Sequence, residues 1–187
     1  MNKFWVPILT STLLACNTPT DKPAAESAAA ITPAQLISPG KGIGQLSIGM
    51  PADSALARLG RPDASDAAMG SALMAWYGKD AHHYRTAVFT SMNMGNENFH
   101  RIKRIMVSSP WFKTAGGLGT GTPLAVLAGQ FRLKKVADAT TSQNGLLVYT
   151  AVGRGISFDI DSLTRICKAV TVHGADEPAA AYINMHE

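Results

Sequence analysis

A short motif that occurs twice constrains this chain more than anything else in it. Gly42-Ile43-Gly44-Gln45-Leu46-Ser47-Ile48-Gly49-Met50-Pro51 is echoed in shortened form by Gly117-Leu118-Gly119-Thr120-Gly121-Thr122-Pro123. In both, glycines supply tight turns and a proline opens a helical pattern, because the first turn of a helix does not need the N–H that proline lacks. After Pro51 the apolar stripe is Ala55, Leu56 and Leu59, and Gly60-Arg61-Pro62-Asp63 ends the helix. After Pro123 the stripe is Leu124, Leu127, Ala128 and Phe131. Self-similarity of this kind predicts two copies of one structural unit.

Each predicted helix leads into three predicted strands. The first set is Leu73 to Tyr77, Tyr84 to Phe89 and Arg101 to Val107; the second is Leu146 to Thr150, Gly155 to Ile160 and Leu163 to Val172. The third strands align without a gap, Phe99-His100-Arg101-Ile102-Lys103-Arg104 lying over Leu163-Thr164-Arg165-Ile166-Cys167-Lys168. Short turns such as Gly78-Lys79-Asp80 imply antiparallel meanders, with the helices covering one sheet face. The expected fold class is therefore α+β: two tandem helix-plus-antiparallel-meander repeats forming one extended sheet with helices on one face. The expected boundaries are 41–110 for the first repeat, 111–174 for the second and 175–187 for a C-terminal tail.

The order glycine, Ile or Leu, glycine, a short gap, Gly49-Met50-Pro51, a helix closing in Leu59-Gly60-Arg61-Pro62 and then a meander carries a resemblance. It is similar to the small lipoproteins of the outer-membrane barrel-assembly machinery (SmpA/OmlA type), and its tandem form resembles the beta-lactamase inhibitory protein fold. The resemblance covers roughly residues 42–174. It implies a module that binds other proteins on a concave sheet face. The inhibitory protein relies on disulfides that this chain lacks, which counts against carrying over its activity.

The N-terminus carries a separate signal. Lys3 precedes an apolar stretch from Phe4 to Leu14, and Leu13-Leu14-Ala15-Cys16 reads as a lipobox. The stretch is far shorter than the roughly 20 apolar residues of a spanning helix, which fits a signal peptide over residues 1–15. It resembles the signal peptides of bacterial lipoproteins, which implies lipidation of Cys16, cleavage before it and acylation of the new N-terminus. Asn17, in the place where Asp would favour inner-membrane retention, makes the outer membrane the expected address. Residues 16–40 are rich in Ala, Pro, Ser and Thr and read as the lipidated cysteine and a flexible tether. As a coil of about 24 residues it would reach on the order of 25–30 Å.

With Cys16 modified, Cys167 has no disulfide partner, and an exported domain must then rest on its hydrophobic core. The net charge of +4 is mild and evenly spread, which argues against a nucleic-acid partner. Enzyme signatures are weak. Ser108 or Ser109 with His100 or His173 is the nearest approach to a hydrolase, without a Gly-x-Ser-x-Gly elbow. His82-His83 is at most half a metal site, and Met92 and Met94 with His100 offer soft ligands for Cu(I). The glycines of 116–121 lack the Gly-Lys-Ser/Thr ending of a phosphate loop.

The strands are rich in aromatic residues. Neighbours such as Trp76 and Tyr77 point to opposite faces, so one of each pair faces away from the helices. Exposed Trp, Tyr and Arg dominate protein–protein binding energy. Trp76, Tyr84, Arg85, Arg104, Trp111 and Phe112 therefore form the expected protein-binding surface, with Arg101 at its rim. The expected function is a membrane-anchored, non-enzymatic lipoprotein that binds an envelope protein, with no cofactor and no metal. The alternative is an envelope hydrolase or a ligand- or copper-handling lipoprotein with a site between the repeats.

Overall fold

Long apolar-rich runs become strands here, and two- or three-residue runs become strands only where a neighbour captures them. The computed structural model describes residue 1 and residues 30–92, 95–136, 145–175 and 185–186. The lipobox, Cys16 and most of the tether lie outside the described residues, as does Met94. The described strands are β1 (Leu36–Ser38), β2 (Gly42–Ile43), β3 (Leu46–Ser47), β4 (Ala64–Ala68), β5 (Ser71–Tyr77), β6 (Arg85–Ser91) and β7 (Arg101–Val107). They continue with β8 (Lys113–Thr114), β9 (Lys134–Lys135), β10 (Leu146–Ala151), β11 (Ile156–Asp161) and β12 (Cys167–His173). Two α-helices are described, α1 (Ala52–Leu59) and α2 (Leu124–Gln130).

The strands make two sheets. The larger is antiparallel, in the order β4-β5-β6-β7-β12-β11-β10-β9; the smaller has the order β3-β2-β1-β8, with β1 parallel to β8. The expected helix-plus-meander repeats with helices alone on one face are therefore corrected to a sheet-rich fold of an eight-stranded and a four-stranded sheet. The helices have eight and seven residues, about two turns each, and each fully buries a single residue, Ala55 and Leu127. So narrow a stripe cannot cover eight strands. The small sheet supplies Ile37, Ile43 and Leu46 to the same core, which holds Ile105, Val107, Ile156, Phe158, Val170 and Val172 of the large sheet. Residues 33–40, predicted to end the tether, are folded, and Ile37 is 1% exposed.

Turn chemistry fixes the registers. The β4–β5 hairpin closes through Met69 and Gly70, both at positive φ (45° and 75°), the left-handed pair that suits a two-residue turn. Between β11 and β12, Asp161 Oδ1 accepts the Thr164 N–H at 2.7 Å, its hydroxyl at 2.9 Å and the Leu163 N–H at 3.1 Å. The two Thr164 bonds hold the Asp161 carboxyl below the ordinary carboxylate range. Pro51 and Pro123, just ahead of α1 and α2, bridge to Arg101 and Ile166 and tie each helix start to the large sheet.

Candidate functional site

Alternate residues of a strand share a face, so the register of the large sheet gives the side opposite the helices directly. Tyr77 lies across from Arg85, Ala75 from Ala87, Ala87 from Met106, and Phe89 from Arg104. The band continues through Met106 with Thr171, Arg104 with His173, Thr171 with Ser157, and Ala169 with Asp159. Such a face is ordinarily solvated, yet this one is buried: Arg85 is 9% exposed, Arg104 7% and Asp159 2%.

Among the described residues, Met185 and His186 lie over it. Met185, 2% exposed, packs with Ala75, Ala87, Met106 and Ala169, and Leu73 and Phe89 lean against the same cluster. Alanines on β5, β6 and β12, with Met106 of β7 between the last two, leave a depression that a methionine fills. Full burial of that side chain contributes about 1.5–3 kcal/mol. His186 follows, and the sheet grips it twice. Arg85 donates from Nη1 to the His186 carbonyl oxygen at 2.7 Å, and His186 Nε2 lies 2.7 Å from Asp159 Oδ2. The Arg85 Nη1 also donates to the Tyr77 hydroxyl at 3.2 Å, and its guanidinium stands 5.6 Å from the Tyr77 ring centre. Asp159 Oδ1 is buried without a hydrogen-bond partner among the described residues.

Beside this grip runs a chain of hydroxyls and imidazole. Ser157 Oγ lies 3.0 Å from His173 Nε2 and 3.0 Å from Thr150 Oγ1, and His173 Nδ1 lies 2.8 Å from the Gly174 carbonyl oxygen. A carbonyl oxygen can only accept, so Nδ1 carries the proton that faces Gly174, while the Ser157 hydroxyl donates to Thr150 Oγ1. The spacing is that of a nucleophile and a base. Ser157, His173 and Thr150 are all buried, however, and the carboxylate of Asp159 is directed to His186 instead of His173.

The residues predicted to form one binding surface divide into three groups. Arg85 and Arg104 belong to the tail-covered face. Trp76, Trp111 and Phe112 lie on the opposite side: the Trp76 indole donates to the Gly60 carbonyl at 3.1 Å, and Trp76 and Phe112 pack against the main core. Trp111, 51% exposed, meets Phe112 edge to face at 4.9 Å, and both line an apolar cavity of about 190 Å³ with Ile43, Leu46 and Leu59. Tyr84 sits near the β5–β6 turn, stacked on His82. Arg101 is drawn away from the rim by Glu97 and by the Gly49 carbonyl, which it reaches at 3.0 Å.

The other sequence-derived candidates fall into turns. Ser108 Oγ accepts the Arg85 N–H at 2.7 Å, and Ser109 Oγ accepts the Trp111 N–H at 3.2 Å. The His82 N–H is taken by Asp80, and the glycines at 117 and 121 occupy positive φ in tight turns. Among the described residues no three of His, Cys, Asp and Glu gather as metal ligands. Sequence reasoning missed Ser157, Asp159, Met185 and His186. The available signal was Ile156-Ser157-Phe158-Asp159-Ile160, where two polar residues alternate with three apolar ones in a strand buried on both sides.

No family model matches this chain, and no curated protein matches it. Among solved structures it is similar to an extracellular protein containing an SCP domain from Bacillus anthracis str. Ames, with a TM-score of 0.42 and 11% identity. The match covers 69% of this chain and 44% of that one, so the chain spans less than half of its neighbour's length. A likeness of that degree carries no conclusion about fold or function.

Proposed function

We propose that this chain is a lipid-anchored, non-enzymatic lipoprotein of the bacterial envelope that binds another protein through the face of its large sheet opposite the helices. One observation carries the binding half of this reading: Met185 and His186 are seated on that face by an apolar pocket, a donor to their backbone and an acceptor for their side chain. Those are the three elements by which a sheet face holds a peptide segment. The anchoring half rests on Leu13-Leu14-Ala15-Cys16. No helix among the described residues is long and apolar enough to cross a membrane. A tether of a few tens of ångströms would then hold the face at high effective concentration near other envelope proteins, so that weak contacts suffice.

Crosslinking in the native envelope, followed by identification of the captured species, tests the binding half. Capture of a defined envelope protein is expected; recovery of a small molecule and no protein would overturn it. Replacing Cys16 with Ser is expected to abolish incorporation of labelled palmitate. Persistent labelling of Cys16→Ser would refute the anchor.

A further inference from the structure

We infer that Met185 and His186 occupy, in cis, a pocket built for a partner's peptide segment, and that this segment carries an apolar side chain of about methionine size followed directly by an arginine. This rests on the protein-binding reading above and specifies what the bound protein presents. Two features of the face lead to it.

The first is the pocket. Ala75, Ala87 and Ala169 stand at central positions of the large sheet, where β-branched and aromatic residues are normally preferred. Together with Met106 they leave room for one long, unbranched side chain, and Met185 takes it. Leu73 and Phe89 close the sides, so the pocket selects by size and apolarity.

The second is the carboxylate. Asp159 is 2% exposed, and its Oδ2 is met by His186 at 2.7 Å while its Oδ1 has no hydrogen-bond partner among the described residues. A buried carboxylate oxygen without a donor is costly, and an imidazole cannot supply both oxygens from one nitrogen. A guanidinium can, since its planar fork makes two parallel bonds to one carboxylate. The Arg85 guanidinium is held toward the backbone carbonyl of this position and toward Tyr77, so it fixes the segment's main chain and leaves Asp159 to the incoming side chain. The chain's own tail therefore matches the pocket at the apolar position and half-matches it at the next. Such a segment holds the face closed and yields to a better-matched partner.

The test uses the full chain in two forms, the wild type and a Met185→Ala/His186→Ala variant that vacates the pocket. Two fluorescent peptides serve as probes: the sequence of residues 180–187, and the same peptide with His186→Arg. Anisotropy titrations are expected to show saturable binding of both peptides to the vacated chain, with the arginine peptide at least about tenfold tighter. Wild-type chain is expected to bind the arginine peptide more weakly than the vacated chain does, because its own tail competes. Asp159→Asn in the vacated chain is expected to shrink the difference between the peptides to under about threefold. Ala87→Leu, which fills the pocket and leaves Asp159 in place, is expected to abolish both. Failure of both peptides to bind, equal binding of the two, or binding unaffected by Ala87→Leu overturns the inference. A protein captured in the envelope while the peptides fail would leave the binding module standing and remove only this specificity.

Discussion

His186 Nε2 lies 2.7 Å from Asp159 Oδ2, a hydrogen bond that joins the end of the chain to a central strand 27 residues earlier. Because Oδ1 of the same carboxylate has no partner, that contact is the only hydrogen bond between Asp159 and a side chain among the described residues. His186→Ala leaves a buried carboxylate with neither oxygen bonded, at a cost of about 1–3 kcal/mol. Urea denaturation should show this as a lowered midpoint with an unchanged slope.

Cys167 lies at the start of β12, 1% exposed, and burial with the nearby Asp159 charge pushes its thiol from 9.0 up to about 12. The thiol should resist iodoacetamide at pH 8 in the folded chain and react once the chain is unfolded. The sign for stability follows. The unfolded thiol ionises near pH 9 while the folded one stays neutral, so the contribution is fully present below about pH 9 and is lost as pH rises toward 12, by up to about 1.4 kcal/mol per pH unit. Cys167→Ala should flatten the stability profile above pH 9.

Two glycines should respond in opposite directions to alanine. A Cβ on Gly42 would sit 2.1 Å from the Leu46 carbonyl oxygen and 2.9 Å from the Ser47 Cα, both backbone, so the β2–β3 pairing would have to open. Gly42→Ala should cost about 3 kcal/mol. Gly129, inside α2, has nothing within 4 Å of the same position. Gly129→Ala should stabilise by about 0.5–1 kcal/mol through the entropy of the unfolded chain. Melting temperatures of the two variants report both effects.

Phe158 is fully buried, with its ring centre 5.2 Å from that of Phe131. Phe158→Ala should cost about 3–5 kcal/mol. Trp111 shows half its surface to solvent, and Trp111→Ala should change stability by about 1 kcal/mol or less. Calorimetry on the pair separates the core from the surface aromatics.

The parts of this fold that sequence made legible are those where a periodic run is long. The starts of α1 and α2 follow from Pro51 and Pro123 and their apolar stripes, and β5, β6, β7, β10 and β11 fall on or within a residue or two of the five- to seven-residue runs named as strands. The small sheet was illegible because Gly42–Ile43 and Leu46–Ser47 are too short to show any period. Ala64–Ala68 was missed for another reason: Ala, Ser and Asp have little strand preference, and only pairing with β5 makes them one. That is why the helices were given too large a share of the architecture. The site was only partly legible. Arg85 and Arg104 stood out as cations in strands, but Met185 and His186 join them through tertiary packing that no local pattern encodes.

The central claim is that the tail-covered face is where this chain meets its partner. A photocrosslinking residue placed at Tyr77, which is 40% exposed and bonded to the Arg85 guanidinium, tests it against the same residue placed at Leu163, 91% exposed in the β11–β12 turn. In the native envelope, capture of a protein from position 77 and not from position 163 is predicted. Capture from position 163 alone, or equal capture from both, would contradict it.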